Sequence, residues 1–198
     1  MKLPKVVFEY SYIYDYILHG YHRKKYQKNQ YKAGERYASH LQTIWNRQGA
    51  RILRTMSSLS GLKWKSNIIR VYPVKHVIYE FSHPLTIFFY KDDRQALSIL
   101  IHELSHMLVW ENRAKVRWSL IKRCFPKNSY ITNQHLLIHA ICKLTTEKIF
   151  GEKSEYYLKY ERWWEWHKSE LTEHYKKSWK IVQKETPQKL LRKFVKMA

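Results

Sequence analysis

Residues 98–110 read SILIHELSHMLVW, and inside that apolar run stand His102, Glu103 and His106 in an H-E-x-x-H spacing. Asp92, followed three residues later by Gln95, reads as a capping box that opens a helix just before the run. Histidines four apart on a helix differ by only about 40° in direction, so both imidazoles face one ion. Glu103 falls to the side of the pair, where its carboxylate reaches a water on that ion. Zinc chemistry needs this set of parts: neutral imidazole ligands, an open position and a nearby base. The competing reading is a helix whose histidines form ordinary hydrogen bonds. Apolar neighbours (Leu104, Met107, Leu108), strands upstream and more histidines downstream weigh against it.

Two imidazoles are half of a tetrahedral site, so the fold must bring a further donor to this helix. QHLLIHA offers His135 and His139, again four apart, and Glu147 lies two turns beyond His139 on roughly the same side. Glu111 points about 140° away from the motif face. Cys142 is the least favoured donor, because a thiolate makes the ion less Lewis-acidic. His139 is the expected third ligand, with His135 as its close rival, since a helix-interior imidazole is better fixed than one in a first turn. His135 then orients a ligand or donates a hydrogen bond to the developing oxyanion.

Around this motif the pattern predicts an α+β chain, mainly helical, with a small three-stranded sheet before the H-E-x-x-H helix. The first twenty residues, with VVF and YIYDYIL, have near-helical spacing and predict a short helix. Apolar residues at Tyr37, Leu41, Ile44, Ile52, Met56 and Leu59 form one stripe of a long helix over about 31–59, which Gly49 weakens without ending. Between Asn67 and Tyr90 the stretches IIRVYPV, HVIYEF and PLTIFFY predict two or three short strands, with Pro73 and Pro84 near their ends. A mixed-charge linker runs from Trp110 to Tyr130. Thr132 or Asn133 caps the next helix, which exits at Gly151. The aromatic last third predicts one or two further helices. The division that follows is an aromatic and basic segment (1–30), a catalytic domain (31–151) and a helical extension packed on it (152–198).

Composition bounds what surrounds the site. A length of 198 residues suits one domain with appendages. The absence of an apolar run of about 18 residues, and an N-terminus that interleaves Glu, Asp and Tyr, predict a soluble, intracellular protein with no membrane partner. Two isolated cysteines, Cys124 and Cys142, fit a reducing cytoplasm. A net charge of +21, concentrated in HRKKYQKNQYK (22–32) and KLLRKFVK (189–196), raises nucleic acid or an acidic molecule as a partner, against surface lysines that serve solubility alone.

The order of helix, small sheet, HELSH helix and second ligand-bearing helix resembles the zincin metallopeptidases, and among them the compact minigluzincins, over roughly residues 31–151. That resemblance implies a zinc-dependent protease acting on peptides or proteins. It also implies a sheet edge, PLTIFFY (84–90) or its neighbour, that holds substrate in extended form. The chain departs from the gluzincin pattern by offering histidines where that group uses Glu, unless Glu147 is the equivalent. A histidine ligand is similar to the Spartan-like zincins, whose members act on DNA-bound proteins. The expected reaction is peptide hydrolysis with zinc on His102, His106 and His139 and Glu103 as general base. Two rival expectations are a basic nucleic-acid-binding protein with a structural or absent metal site, and a latent or inactive peptidase-like scaffold. In the latter the N-terminal aromatic segment or WWEWH (163–167) lies across the cleft.

Overall fold

The computed structural model describes residues 2–27, 29–77, 79–165 and 169–196, with the backbone alone at 163 and 164. Strand β1 (Lys5–Phe8) is followed by α1 (Tyr12–Tyr21) and the long α2 (Gln30–Ser60). Strands β2 (Ile68–Val74), β3 (Phe81–Ser82) and β4 (Leu85–Phe88) then lead into α3 (Asp93–Glu111). Helices α4 (Trp118–Cys124) and α5 (Tyr130–Phe150) follow. A single helical turn α6 (Glu155–Leu158) passes into a 3-10 segment (Lys159–Glu165), and α7 (Glu170–Glu185) and α8 (Pro187–Phe194) end the chain. The architecture is α+β, with a small mixed sheet in the order β1-β2-β4-β3, parallel except for the β3–β4 pair.

The sheet has four strands where three were expected: the extra one comes from the first ten residues, and of the described residues of HVIYEF only Phe81 enters a strand, the two-residue β3. Val6 and Phe8 point inward with alternation too short to register as a strand pattern, while the longer YIYDYIL run beside them does form the expected helix. Ser11 separates the two by capping α1, its side chain accepting from the Tyr14 N–H. The anticipated stripe on α2 is the one that faces the core: Leu41, Ile52 and Met56 are buried, and Tyr37, Ile44 and Leu59 are partly so. Gly49 has a packing reason, since a Cβ there would meet the Trp45 indole at 2.2 Å. The helix stops at Gly61, whose φ of 70° suits glycine.

Three local expectations shift. The presumed linker contains α4, whose helical stripe is masked by flanking Lys and Arg and anchored by fully buried Ile121. Helix α5 begins earlier, because Ser129 rather than Thr132 or Asn133 caps it, accepting from the Thr132 N–H at 3.1 Å. At α3, Asp92 is the N-cap but bonds the Arg94 N–H at 2.9 Å, and Gln95 turns to the adjoining cleft. Asp92 also accepts from the Tyr160 hydroxyl (2.7 Å) and the Arg94 guanidinium (2.8 Å), which hold its carboxyl well below the usual carboxylate range. The cap thus ties α3 to the C-terminal segment. Asp92→Ala is expected to cost about 1–2 kcal/mol, read as a fall in thermal midpoint of about 2–8 °C by circular dichroism. An unchanged midpoint would show that the cap and the Tyr160 tie contribute nothing.

The core lies where α2 and α3, packed on the sheet, meet α5, which also packs against α7 and α8. Among the described residues no helix is long and apolar enough to cross a membrane.

Candidate metal centre and its cleft

Helices α3 and α5 are apolar on most sides, with Leu100, Ile101, Leu104 and Leu108 facing Leu136, Leu137, Ile138 and Ile141 in the buried core. Burying those residues carries the polar ones between them inward as well. His102 and Glu103 on α3 and His135 and His139 on α5 are all buried, and His106 is half-buried. The histidines form one compact group, with ring centroids 5.0 Å apart for His102 and His106 and 4.9 Å for His106 and His135. The Nε2 atoms of His102 and His106 approach to 3.2 Å, so the pair converges on one point as the helix spacing requires.

Hydrogen bonding sets the tautomers. The His135 Nδ1 lies 2.8 Å from the Ile131 carbonyl, which can only accept, so Nδ1 carries the proton and Nε2 keeps a lone pair. That Nε2 is buried and has no hydrogen-bond partner among the described residues. A buried acceptor left in this state is costly unless something coordinates it. His102 Nδ1 sits 2.8 Å from a carboxylate oxygen of Glu161, which fixes its Nε2 toward His106 in the carboxylate–histidine arrangement seen around metal ligands. His102, His106 and His135 each bring a donor atom within 4.8 Å of the others, and so, as a second set, do His102, His139 and Glu161. This buried group of four histidines and one carboxylate has the chemistry to bind a metal ion.

The electrostatics favour ligation at His135 and His106 and oppose it at His102. Burial, reinforced by the neighbouring His102, pushes His135 down to about 3. Burial, again with His102 and His135 beside it, holds His106 well below the ordinary histidine value. Both imidazoles are therefore neutral, as ligation demands. At His102 burial also opposes charge, but the Glu161 carboxylate and the adjacent Cys142 outweigh it and the net direction is up. Burial raises Glu103 to about 7 against a smaller opposing pull from His102.

A cavity of about 530 Å³ opens beside this group. His102, Glu103, Glu161 and Tyr175 border it on the histidine side, and Phe88 and Tyr90 from the sheet side. Glu80 also lines it, and its carboxylate accepts from the Tyr90 hydroxyl. No Lys or Arg is among the described lining residues, so the chain's large positive charge stays outside. Strand β3, not β4, is outermost in the sheet. It pairs with Leu85 and Thr86, and Phe88 beyond that pairing lines the cleft.

The donors named from sequence distribute unevenly. His139 is fully buried, its ring 5.8 Å from that of His102 and its Nδ1 3.1 Å from the Ser178 hydroxyl of α7. Of the two α5 histidines, His135 is grouped with His102 and His106, and His139, the expected third ligand, is grouped with His102 and Glu161. Glu147 belongs to neither set, being paired with Lys143 at the protein surface. Glu111 anchors the loop after α2 through the Lys65 and Ser66 N–H groups. Cys142 lies against the Ser105 hydroxyl at 3.5 Å, and burial pushes its thiol up to about 11. None of residues 2–27 lines the cleft. The side chains of Trp163 and Trp164 and all of Trp166 and His167 lie outside the described residues, so the covering role considered for WWEWH is not placed.

Glu161, Tyr175 and Ser178 escaped the sequence reading. Tyr175 packs against His135 at 4.1 Å between centroids and parallel to His102 at 5.9 Å. Glu161 is 59 residues from His102 and sits in a 3-10 segment with no periodic signal, so only tertiary packing reveals it. Comparison with models of known families finds no match, and comparisons with curated proteins and with solved structures find none either.

Proposed function

We propose that the chain is a zinc-dependent peptidase whose metal is held by His102, His106 and His135, with Glu103 as general base. One observation carries this reading: the buried, unpartnered His135 Nε2 stands beside the converging His102 and His106 rings at the wall of an open cleft that Glu103 shares. Zinc on these three imidazoles would supply Lewis acidity toward a carbonyl and acidify a water near neutrality.

The remaining work falls to the chain. Glu103, raised by burial to about 7, is poised to take a proton from the attacking water and return it to the leaving amine at neutral pH. Glu161 fixes the His102 tautomer. Tyr175, pushed by burial up to about 12, stays protonated and is the donor we assign to the carbonyl oxygen as it gains charge, the role earlier expected of His135. Phe88, Tyr90 and Tyr160 give the cleft walls suited to an extended peptide. A histidine as third ligand keeps the resemblance to the Spartan-like zincins in step with the site, whereas Glu147 is too remote to restore the gluzincin pattern.

The test is elemental analysis of the purified protein joined to a peptide-library assay. One zinc per chain is expected, with cleavage that a chelator abolishes and added zinc restores. Protein that neither retains nor takes up a divalent ion would end this reading. If it instead bound nucleic acid in a salt-sensitive, chelator-indifferent way, the basic exterior would be the functional surface. Within the site, Glu161→Gln is expected to weaken zinc binding by about 10–100-fold, measured by competition with a fluorescent chelator. Unaltered affinity would mean that the Glu161–His102 bond is only structural.

A further inference from the structure

Helix α1 is inverted relative to an ordinary surface helix. Its polar residues are inside: Asp15 and His19 are 0% and 1% exposed. The Asp15 carboxylate accepts from the Tyr10 hydroxyl (2.6 Å), the Gln30 amide (2.8 Å) and the Lys75 N–H (3.0 Å), and Gln30 also meets His19 Nε2 at 2.7 Å. Its most exposed residues are mainly apolar, with Tyr14 and Leu18 half-buried. Ile13 is 68%, Tyr16 54%, Ile17 59% and Tyr21 79% exposed. A buried polar network of this completeness locks the helix in one orientation, so the outward apolar face is a built feature of the fold.

The rim of that face is basic. From Gly20 to Lys32 the sequence holds five Lys or Arg and no acid, and Arg23, Lys24, Lys25 and Lys32 are exposed. Glu35, a turn further along α2, is engaged by the Tyr31 hydroxyl at 2.6 Å. We propose that the Ile13/Ile17/Tyr16/Tyr21 face of α1 and the adjoining basic segment dock this protein onto an anionic lipid bilayer, lying in the interface and not spanning it.

Three considerations select that occupant. A second copy of the chain would set two basic rims against each other in a protein already at +21. Nucleic acid would offer phosphates to the lysines, but the tyrosines pack mainly on one another, Tyr12 on Tyr16 at 6.0 Å and Tyr26 at 5.1 Å, and two isoleucines hold the middle of the face. An interfacial helix needs what is present here: a shallow apolar face with aromatic hydroxyls, plus basic residues that add a second, electrostatic contribution. The lack of a spanning helix bears on crossing a membrane, not on lying upon one.

The test uses the full chain and co-sedimentation with vesicles of phosphatidylcholine containing about 30 mol% phosphatidylserine, against phosphatidylcholine alone. Binding to the anionic vesicles only is expected. Ile13→Ser/Ile17→Ser and Lys24→Gln/Lys25→Gln should each weaken it by about tenfold or more. All four positions are exposed, so thermal midpoints should match wild type and separate lost docking from lost folding. Equal binding to neutral vesicles, or no effect of the isoleucine pair, would overturn the proposal. So would a protein that ignores vesicles but binds a single-stranded oligonucleotide through the same residues, which would assign the face to nucleic acid.

Discussion

Glu103→Gln is expected to remove peptide hydrolysis, by at least about 10²–10⁴-fold, while the protein keeps its zinc and its fold. Glu103 is 7% exposed and borders the cleft beside His102, so its carboxylate is near where a water would attack and cannot be replaced by bulk solvent acting as base. Glutamine has the same shape but cannot accept a proton. It also removes a carboxylate that burial already disfavours, so the variant should melt no lower than wild type. The measurements are turnover of the best library peptide, zinc content and thermal midpoint on one preparation. Wild-type turnover in Glu103→Gln would remove Glu103 from the mechanism. Zinc loss with the same substitution would instead make it a ligand.

The second large effect separates the two histidines of α5. His135→Ala is expected to lower zinc affinity by on the order of a hundredfold or more and to abolish cleavage, because two imidazoles cannot hold a catalytic ion. His139→Ala should retain zinc and instead lose about 1–3 kcal/mol of stability, through the Ser178 contact and a cavity in a fully buried place. A zinc titration of the thermal midpoint distinguishes them. Wild type and His139→Ala should gain about 4 kcal/mol at a thousandfold excess over the dissociation constant, and His135→Ala should gain almost nothing. The reverse pattern would move the site to the deeper set of His102, His139 and Glu161.

The two helices that carry the donors were legible for different reasons. On α3 the apolar run, the Asp92 cap and the H-E-x-x-H spacing all agree, and local geometry alone makes His102 and His106 converge. On α5 the four-residue spacing showed that His135 and His139 share a face, but not which of them meets α3. That depends on where two helix axes approach, which a periodicity does not contain. The preference for a helix-interior imidazole does not separate them, because α5 starts at Tyr130, earlier than expected, and His135 is already a full turn inside. Strand β1 was hidden because four residues of alternation carry little signal until β2 pairs with them.

The sequence by itself determined the α+β character, the long α2 stripe, the strands of 67–90 and the pairing of His102 with His106 around Glu103. All of these are properties of residues within one or two turns of each other, where 3.6-residue and two-residue periods set side-chain direction. Tertiary structure alone decided that His135 stands beside that pair, that Glu161 orients His102, that Tyr175 closes over both rings and that α1 turns its isoleucines outward. Those outcomes depend on contacts between segments tens of residues apart, and burial, hydrogen bonding and desolvation act on such neighbours only after the chain has brought them together.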